Sequence, residues 1–186
     1  NKKANVISNL SKTLLLKPNL KDEKLTQNVQ GIDENGKNIN ISVVAERALT
    51  IFLNSQEIVT TMTLGDMPNE LAVGYLLNQN MLQYNDKITE INYDEELEVI
   101  IVRTKRKTNY EEKLSKKIRT SGCAVGTVFG DMMERFHDIK LNKYALIKSS
   151  WMKTISKNIT DTPSLYLMAG AIHGCALSFN DNVLAY

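Results

Sequence analysis

Cysteine and histidine are scarce in this chain: two of each, Cys123 and Cys175, His137 and His173, among 186 residues. A secreted disulfide scaffold would carry more cysteines than one pair. A zinc site needs four ligands, or three and a water, so this stock makes a metal centre a thin reading. The zinc deaminase signature, H-x-E followed by P-C-x-x-C, fails because Cys175 stands where glutamate is required and no CxxC occurs. There is no GxGxxG, no GxxxxGK[ST] and no serine nucleophile elbow, so nucleotide binding by those loops and serine hydrolase chemistry are unsupported. The net charge of +2 offers no global case for nucleic acid. No apolar run approaches the ~20 residues that cross a bilayer; the longest, ELAVGYLL, is the length of a core helix. The N-terminus is basic but lacks the roughly 7–15 consecutive apolar residues of a signal peptide. These absences predict a cytoplasmic protein with no membrane or nucleic-acid partner and no bound metal. Asn1 is not a start methionine, which suggests that the chain begins inside a longer protein.

What is present suits one good-sized domain or two small ones, with 42% hydrophobic and 24% charged residues. Residues 1–40 read as an irregular lead-in holding one or two strands, with Asn35-Gly36 as a hairpin turn. From Ile41 to about residue 108 the pattern is that of a small α+β unit. ISVVAE, LTIFLN and QEIVTTM are strand-like, the last two separated by Asn54-Ser55. DMPNELAVGYLLNQNML reads as a helix, with Pro68 in its first turn, Glu70 at the positive end of the dipole and Leu71, Gly74, Tyr75 and Asn78 on one face. KITEINYD and ELEVIIVRT follow as strands, and the unbroken Val99–Val102 predicts burial on both sides. The charged run from Arg103 to Arg119 reads either as a solvated linker with a short surface helix or as a basic collar for an anion. Beyond it, Val125, Val128, Met132 and Phe136 fall at helical spacing, and SSWMKTISKNITDTP reads as a second helix capped by Ser149 or Ser150. SLYLMAGAIHGCALSFNDNVLAY turns to strand chemistry, with NDN as a turn.

Cys123 is the leading chemical candidate. It follows Lys116, Lys117 and Arg119 and precedes an expected helix start, and cations and helix N-termini both favour thiolate over thiol. Gly122 lets the backbone turn and leaves the sulfur uncrowded. Such a thiolate can attack carbon, or accept and hand on sulfur as a persulfide. Spacing alone leaves a second reading open, a small residue at a tight turn. Cys175 reads as a small apolar core residue, and in a strand it would share a face with His173. His173, among glycines and alanines, implies close approach by another strand or a ligand, or else a satisfied core histidine. His137 reads as a surface residue.

Three segments in order resemble the formate dehydrogenase accessory sulfurtransferase family. Glu70 to Leu76 is similar to that family's E-L-A-x-G-[FY]-L helix core. TSGCAVG stands where the family shows T-S-S-C-G-x-C-G, and AGAIHGCAL where it shows T-G-G-x-H-x-A-A-L. The resemblance covers roughly residues 43–186. It implies a sulfurtransferase that takes persulfide sulfur from a cysteine desulfurase and passes it to the molybdenum bis-guanine-dinucleotide cofactor for formate dehydrogenase. It puts the persulfide on Cys123 and makes Ser121, Gly122, Arg119, Gly170 and His173, with Lys116 and Lys117, candidates for holding the cofactor. It also implies an α/β fold, a small α+β unit followed from about residue 109 by a cytidine-deaminase-like domain, commonly dimeric. Two departures stand out. The second cysteine of the family's C-x-x-C falls on Gly126, so a dithiol relay at this loop is impossible. The family's next block, E-D-x-G-R-H-N, would begin just after Tyr186, so an incomplete C-terminal domain with reduced or no activity is expected. The competing expectations are a cofactor-binding chaperone without covalent sulfur chemistry and a divergent deaminase-like enzyme.

Overall fold

Leu49, Ile51 and Leu53 alternate along one strand with polar or half-covered neighbours, and all three are buried. That period of two aims one face at a core. In the computed structural model, which describes residues 19–107, 140 and 142–186 and the backbone of 117–119 and 127–129, this strand is the heart of one of two compact units. The first unit comprises residues 1–45 and 142–186, the second 46–141. The boundary expected near 105–115 falls mostly on residues outside the description. The architecture is mixed α/β: among the described residues, ten strands form one four-stranded and three two-stranded sheets beside three helices.

In the second unit, β3 (Arg47–Leu53) and β4 (Gln56–Thr63) form an antiparallel hairpin. Asn54, at φ +56°, turns it where the sequence predicts. Asparagine tolerates this left-handed backbone better than most residues because its short side chain bonds locally. Here the amide instead clips the turn to β6: its Oδ1 accepts from the Thr104 N–H at 2.8 Å, and its Nδ2 donates to Thr104 Oγ1 at 3.3 Å. The register of β4 shifts between Ile51 and Phe52, so Ile58 and Val59, adjacent in sequence, are both buried.

Helix α1 (Pro68–Asn78) follows, with proline at its start, where the missing N–H costs nothing. Its deepest residues are Ala72 and Leu76. The face expected from Leu71 and Tyr75 is only partly covered, and a Cβ at Gly74 would meet nothing within 4 Å. Ala72 and Leu76, four apart, stack one above the other, and the small alanine lets the helix approach the sheet closely. A second hairpin, β5 (Ile88–Asp94) with β6 (Val99–Thr104), completes the sheet in the order β4-β3-β6-β5. The inner pair β3–β6 is parallel, the outer pairs antiparallel. Ile100 and Val102 are buried, whereas Val99 and Ile101 are half-covered. The apolar run of β6 therefore has one packed face and one partly open face, because the described helix of this unit covers one side. The Arg106 guanidinium binds the nearly buried Asp86 carboxylate, Nε donating to Oδ1 at 2.6 Å, which ties the end of β6 to the loop after α1.

Also in this unit, β7 (Lys117–Arg119) pairs antiparallel with β8 (Thr127–Phe129), Arg119 opposite Thr127. One expectation is corrected here: a helix running through Thr127–Phe129 is excluded. The charged run ends in a strand at Lys117–Arg119, and the short surface helix expected before it lies outside the described residues. Thr127, Val128 and Phe129 are β-branched or aromatic, residues that suit a pleated surface, and this preference overrides the helical spacing of Val125, Val128, Met132 and Phe136.

In the first unit, β1 (Thr26–Ile32) and β2 (Asn38–Val44) form a hairpin, so the lead-in holds two regular strands. The Asn35-Gly36 turn closes it as predicted: Asp33 Oδ1 accepts from the Asn35 and Lys37 N–H groups at 2.9 and 2.8 Å, and Gly36 takes φ +78°. Helix α2 (Ser149–Asp161) starts one or two residues earlier than the sequence suggests; its N-cap is Lys148, with no side-chain cap, rather than Ser149 or Ser150. A short helix α3 (Leu165–Ala169) replaces part of the expected strand. Ser164 caps it, its hydroxyl accepting from the Leu167 N–H at 3.4 Å, a local bond that an extended chain would not offer. Strands β9 (Leu177–Phe179) and β10 (Asn182–Ala185) form the last hairpin around Asn180 and Asp181, in agreement with the predicted NDN turn.

Candidate functional site

Cys123, Ser121, Gly122 and Lys116 lie outside the described residues, as does His137. What is described is the frame around the cysteine. Arg119 and Thr127 are a paired rung, and the seven residues Thr120 to Gly126 connect them, with Cys123 the fourth of the seven. The TSGCAVG segment thus joins two antiparallel strands, not a strand and a helix. The helix dipole, invoked from the sequence as one source of thiolate stabilisation, is lost with the helix. The cations of the 116–119 run remain as the other.

Gly170 and His173 are described, in the other unit. Gly170 ends α3 with φ +63° and ψ −171°, its N–H donating to the Tyr166 carbonyl at 2.9 Å. This backbone is open essentially to glycine alone. Ala171 follows at φ +55°, also left-handed, so the chain turns sharply twice before His173. His173 and Cys175 sit in irregular backbone between α3 and β9, both exposed. Two sequence readings are overturned. The pair does not share a strand face, and Cys175 is a free, exposed thiol rather than a core residue. Small residues here do reflect a close approach: a Cβ on Gly174 would lie 2.9 Å from Cε2 of Tyr186, whose ring lies beside the glycine. The neighbour implied by the glycines is therefore this ring. Nothing in the local sequence points to Tyr186, thirteen residues past His173.

The second unit carries a separate polar cluster. Arg47 Nη1 donates to Glu98 Oε1 at 3.1 Å, and the Tyr93 hydroxyl donates to Glu98 Oε2 at 3.0 Å. Burial pushes the Tyr93 pKa above its ordinary value, and the bond to Glu98 and that residue's negative charge push it further the same way. Tyr75 on α1 is raised by burial. The sequence gives no signal for this cluster, whose members are brought together by the pairing of β3 with β6. A shallow groove of about 570 Å³ runs along α2 beside Met152, Lys153, Ser156, Lys157, Thr160 and Asp161. It shares no residue with the set expected from the sequence. Among the described residues, no group of three or more His, Cys, Asp or Glu side chains is placed to hold a metal ion. No helix there is long and apolar enough to cross a membrane.

The fold is shared with a solved protein. A crystal structure named for a formate dehydrogenase accessory protein, from Desulfotalea psychrophila, superposes with a TM-score of 0.55 at 21% identity, covering 85% of this chain and 58% of that one. It establishes likeness of fold. The family follows from the sequence match: the FdhD/NarQ family profile covers residues 44–186, and the chain belongs to that family. Curated relatives agree. The sulfur carrier protein FdhD of Bacillus pumilus is 24% identical over 140 residues, 73% of this chain and 52% of that protein. The protein of the same name from Bacillus subtilis is 24% identical over 147 residues, 76% of this chain and 55% of that protein. This chain thus spans about half the length of the curated relatives it matches.

Proposed function

We infer that this chain acts in sulfur transfer for formate dehydrogenase, carrying the sulfur as a persulfide on Cys123. The observation that carries the reading is the family match across residues 44–186, which includes TSGCAVG, together with the strand pairing that brackets that segment. A connector between paired strand ends is a common setting for a working side chain, because the scaffold fixes its ends while its middle stays outside the ladder. The relatives' name, sulfur carrier protein, fits a cysteine in that position.

In the proposed chemistry the Cys123 thiolate attacks the outer sulfur of a persulfide on a cysteine desulfurase. The donor's S–S bond breaks, a new one forms at Cys123, and the donor leaves as thiolate, with no net oxidation. The acceptor is the molybdenum bis-guanine-dinucleotide cofactor, written here as substrate. Release of the sulfur at the sulfide level consumes two electrons, which two thiols supply by forming a disulfide, and Cys123 returns to thiol. Arg119, Ser121, Gly122, Gly170 and His173 are the proposed contacts for the pyrophosphate-bearing cofactor. The protein works in the cytoplasm, as a homodimer, in this reading.

The exposed thiol of Cys175 supplies an internal control. After incubation with a cysteine desulfurase and cysteine, the peptide holding Cys123 should gain one sulfur, about 32 Da. Cys123→Ala should abolish the gain and Cys175→Ala should retain it. Equal labelling of the Cys123→Ala protein would overturn the assignment. Cys123→Ser that still supports formate dehydrogenase maturation would favour a chaperone role instead.

A further inference from the structure

Asn35 is the only asparagine of the chain that precedes glycine. Both residues are exposed at the tip of the β1–β2 hairpin, and Gly36 takes φ +78°. The Asn35 side-chain amide has no hydrogen-bond partner among the described residues, whereas its backbone N–H is tied to Asp33 Oδ1 at 2.9 Å. Asn54, before Ser55, is a contrast within the same chain. It is half-buried, and both ends of its amide are engaged by Thr104. Asparagine is a thermally labile residue, because the following backbone nitrogen can reach its Cγ and close a cyclic imide. Glycine offers no Cβ to obstruct that approach. The Asn35 carboxamide is free to turn toward the Gly36 nitrogen, while that of Asn54 would first have to give up its bonds to Thr104.

We propose that Asn35 is a site of spontaneous covalent modification, converted through a cyclic imide to aspartate and isoaspartate at a rate set by opening of the β1–β2 hairpin. The Gly36 nitrogen gives its proton to solvent base and bonds to Asn35 Cγ, and the Cγ–Nδ2 bond breaks with loss of ammonia. Water then opens the ring at either carbonyl. The net change is water in and ammonia out, with no oxidation or reduction. The gate is the Gly36 N–H, which donates to the Asp33 carbonyl at 3.0 Å. While that bond holds, the nitrogen is neither deprotonated nor turned onto Cγ. Among the described residues β1 and β2 pair only with each other, and a two-stranded hairpin is of marginal stability. Isoaspartate moves a methylene from the side chain into the backbone. Asp33 Oδ1 then no longer holds both the residue 35 and Lys37 N–H groups, as it does at 2.9 and 2.8 Å. Either product sets a third carboxylate beside Asp33 and Glu34, where like charges repel. The reaction involves neither Cys123 nor the proposed sulfur chemistry.

The full chain, held at mildly alkaline pH and then digested with trypsin, should show peptide 25–37 gaining about 1 Da as NH2 is replaced by OH. The product should separate into two forms, aspartate and isoaspartate. Fragmentation should place the change on Asn35, with Asn28 and Gln30 of the same peptide unchanged. Asn54, in peptide 48–87, should stay intact over the same period. Asn35→Gln should abolish the gain. In guanidinium chloride, where the hairpin is open, Asn35 should react roughly two- to tenfold faster, as expected for release of a single backbone hydrogen bond. The Lys37 amide should lose hydrogen-exchange protection in the isoaspartate form, and Asn35→Asp, which keeps the backbone length, should retain it. Asn35 left intact in the folded chain after the denatured chain has fully converted overturns the proposal. Asn54 converting as fast as Asn35 overturns it equally. A rate unchanged by denaturant would refute control by the hairpin.

Discussion

Gly65→Ala tests how the polar cluster of the second unit is held. Gly65 has φ +78°, and an added Cβ would lie 2.9 Å from Cδ of Arg47 and 3.3 Å from its Nε. The left-handed backbone costs an L-residue about 1 kcal/mol. The clash adds to this, because Arg47 is not a free chain end: its guanidinium is held 3.1 Å from Glu98, both side chains one-quarter exposed. Swinging it away breaks a partly buried charged hydrogen bond worth about 1 kcal/mol after allowance for solvent screening. The sum is about 2 kcal/mol, a fall of roughly 4–8 °C in Tm for a chain of this length. Thermal unfolding by circular dichroism measures the loss, and hydrogen exchange at the β3 and β6 amides assigns it to this unit. The diagnostic is a double-mutant cycle with Glu98→Gln. If the alanine acts by dislodging Arg47, the two losses overlap, and the double variant loses about 1 kcal/mol less than their sum. A Tm within about one degree of the parent, or strict additivity, would refute the reasoning.

Two further outcomes follow from the same unit. Ile100→Ala, at a fully buried position on the inner strand β6, should destabilise by about 3 kcal/mol in denaturant titrations, with little change in the slope. Tyr93 has its pKa raised in the folded chain, so the stability it contributes is full below the unfolded tyrosine value of about 10 and is lost as pH rises through the higher folded value. Tyr93→Phe should therefore flatten the alkaline loss of stability, and a variant whose high-pH denaturation profile matches the parent's would count against this.

The second unit is largely legible in sequence, and the reason is local. β3, β4, β5 and β6 alternate or run apolar over six to eight residues, and Asn54 and Pro68 punctuate them where the backbone needs their chemistry. Elements shorter than two of their own periods are misread. Thr127–Phe129 is three residues long and Leu165–Ala169 five, so neither shows a repeat, and longer accidental spacings prevail. The burial face of α1 is misjudged because Ala72, the residue that lets the helix approach, looks weaker than Leu71 or Tyr75 on any hydrophobicity count. The exposure of Cys175 and the ring of Tyr186 beside Gly174 depend on how distant segments meet, which a pattern of neighbours does not contain. The candidate cysteine was recognisable from TSGCAVG, but its expected electrostatic setting borrowed a helix that Thr127–Phe129 does not form.

The parallel pairing of β3 with β6 has a kinetic consequence. Thr50 meets Val99, 49 residues later, while each hairpin closes locally. Bringing those ends together costs about 3 kcal/mol of chain entropy before any contact between the inner strands repays it, so the two hairpins should assemble first and their docking should limit refolding. In that interval β3 presents an unpaired edge, and β6 from another molecule offers the same complement. Crowded refolding should therefore favour exchange of the second hairpin between chains, making intertwined dimers the characteristic misassembly of this unit.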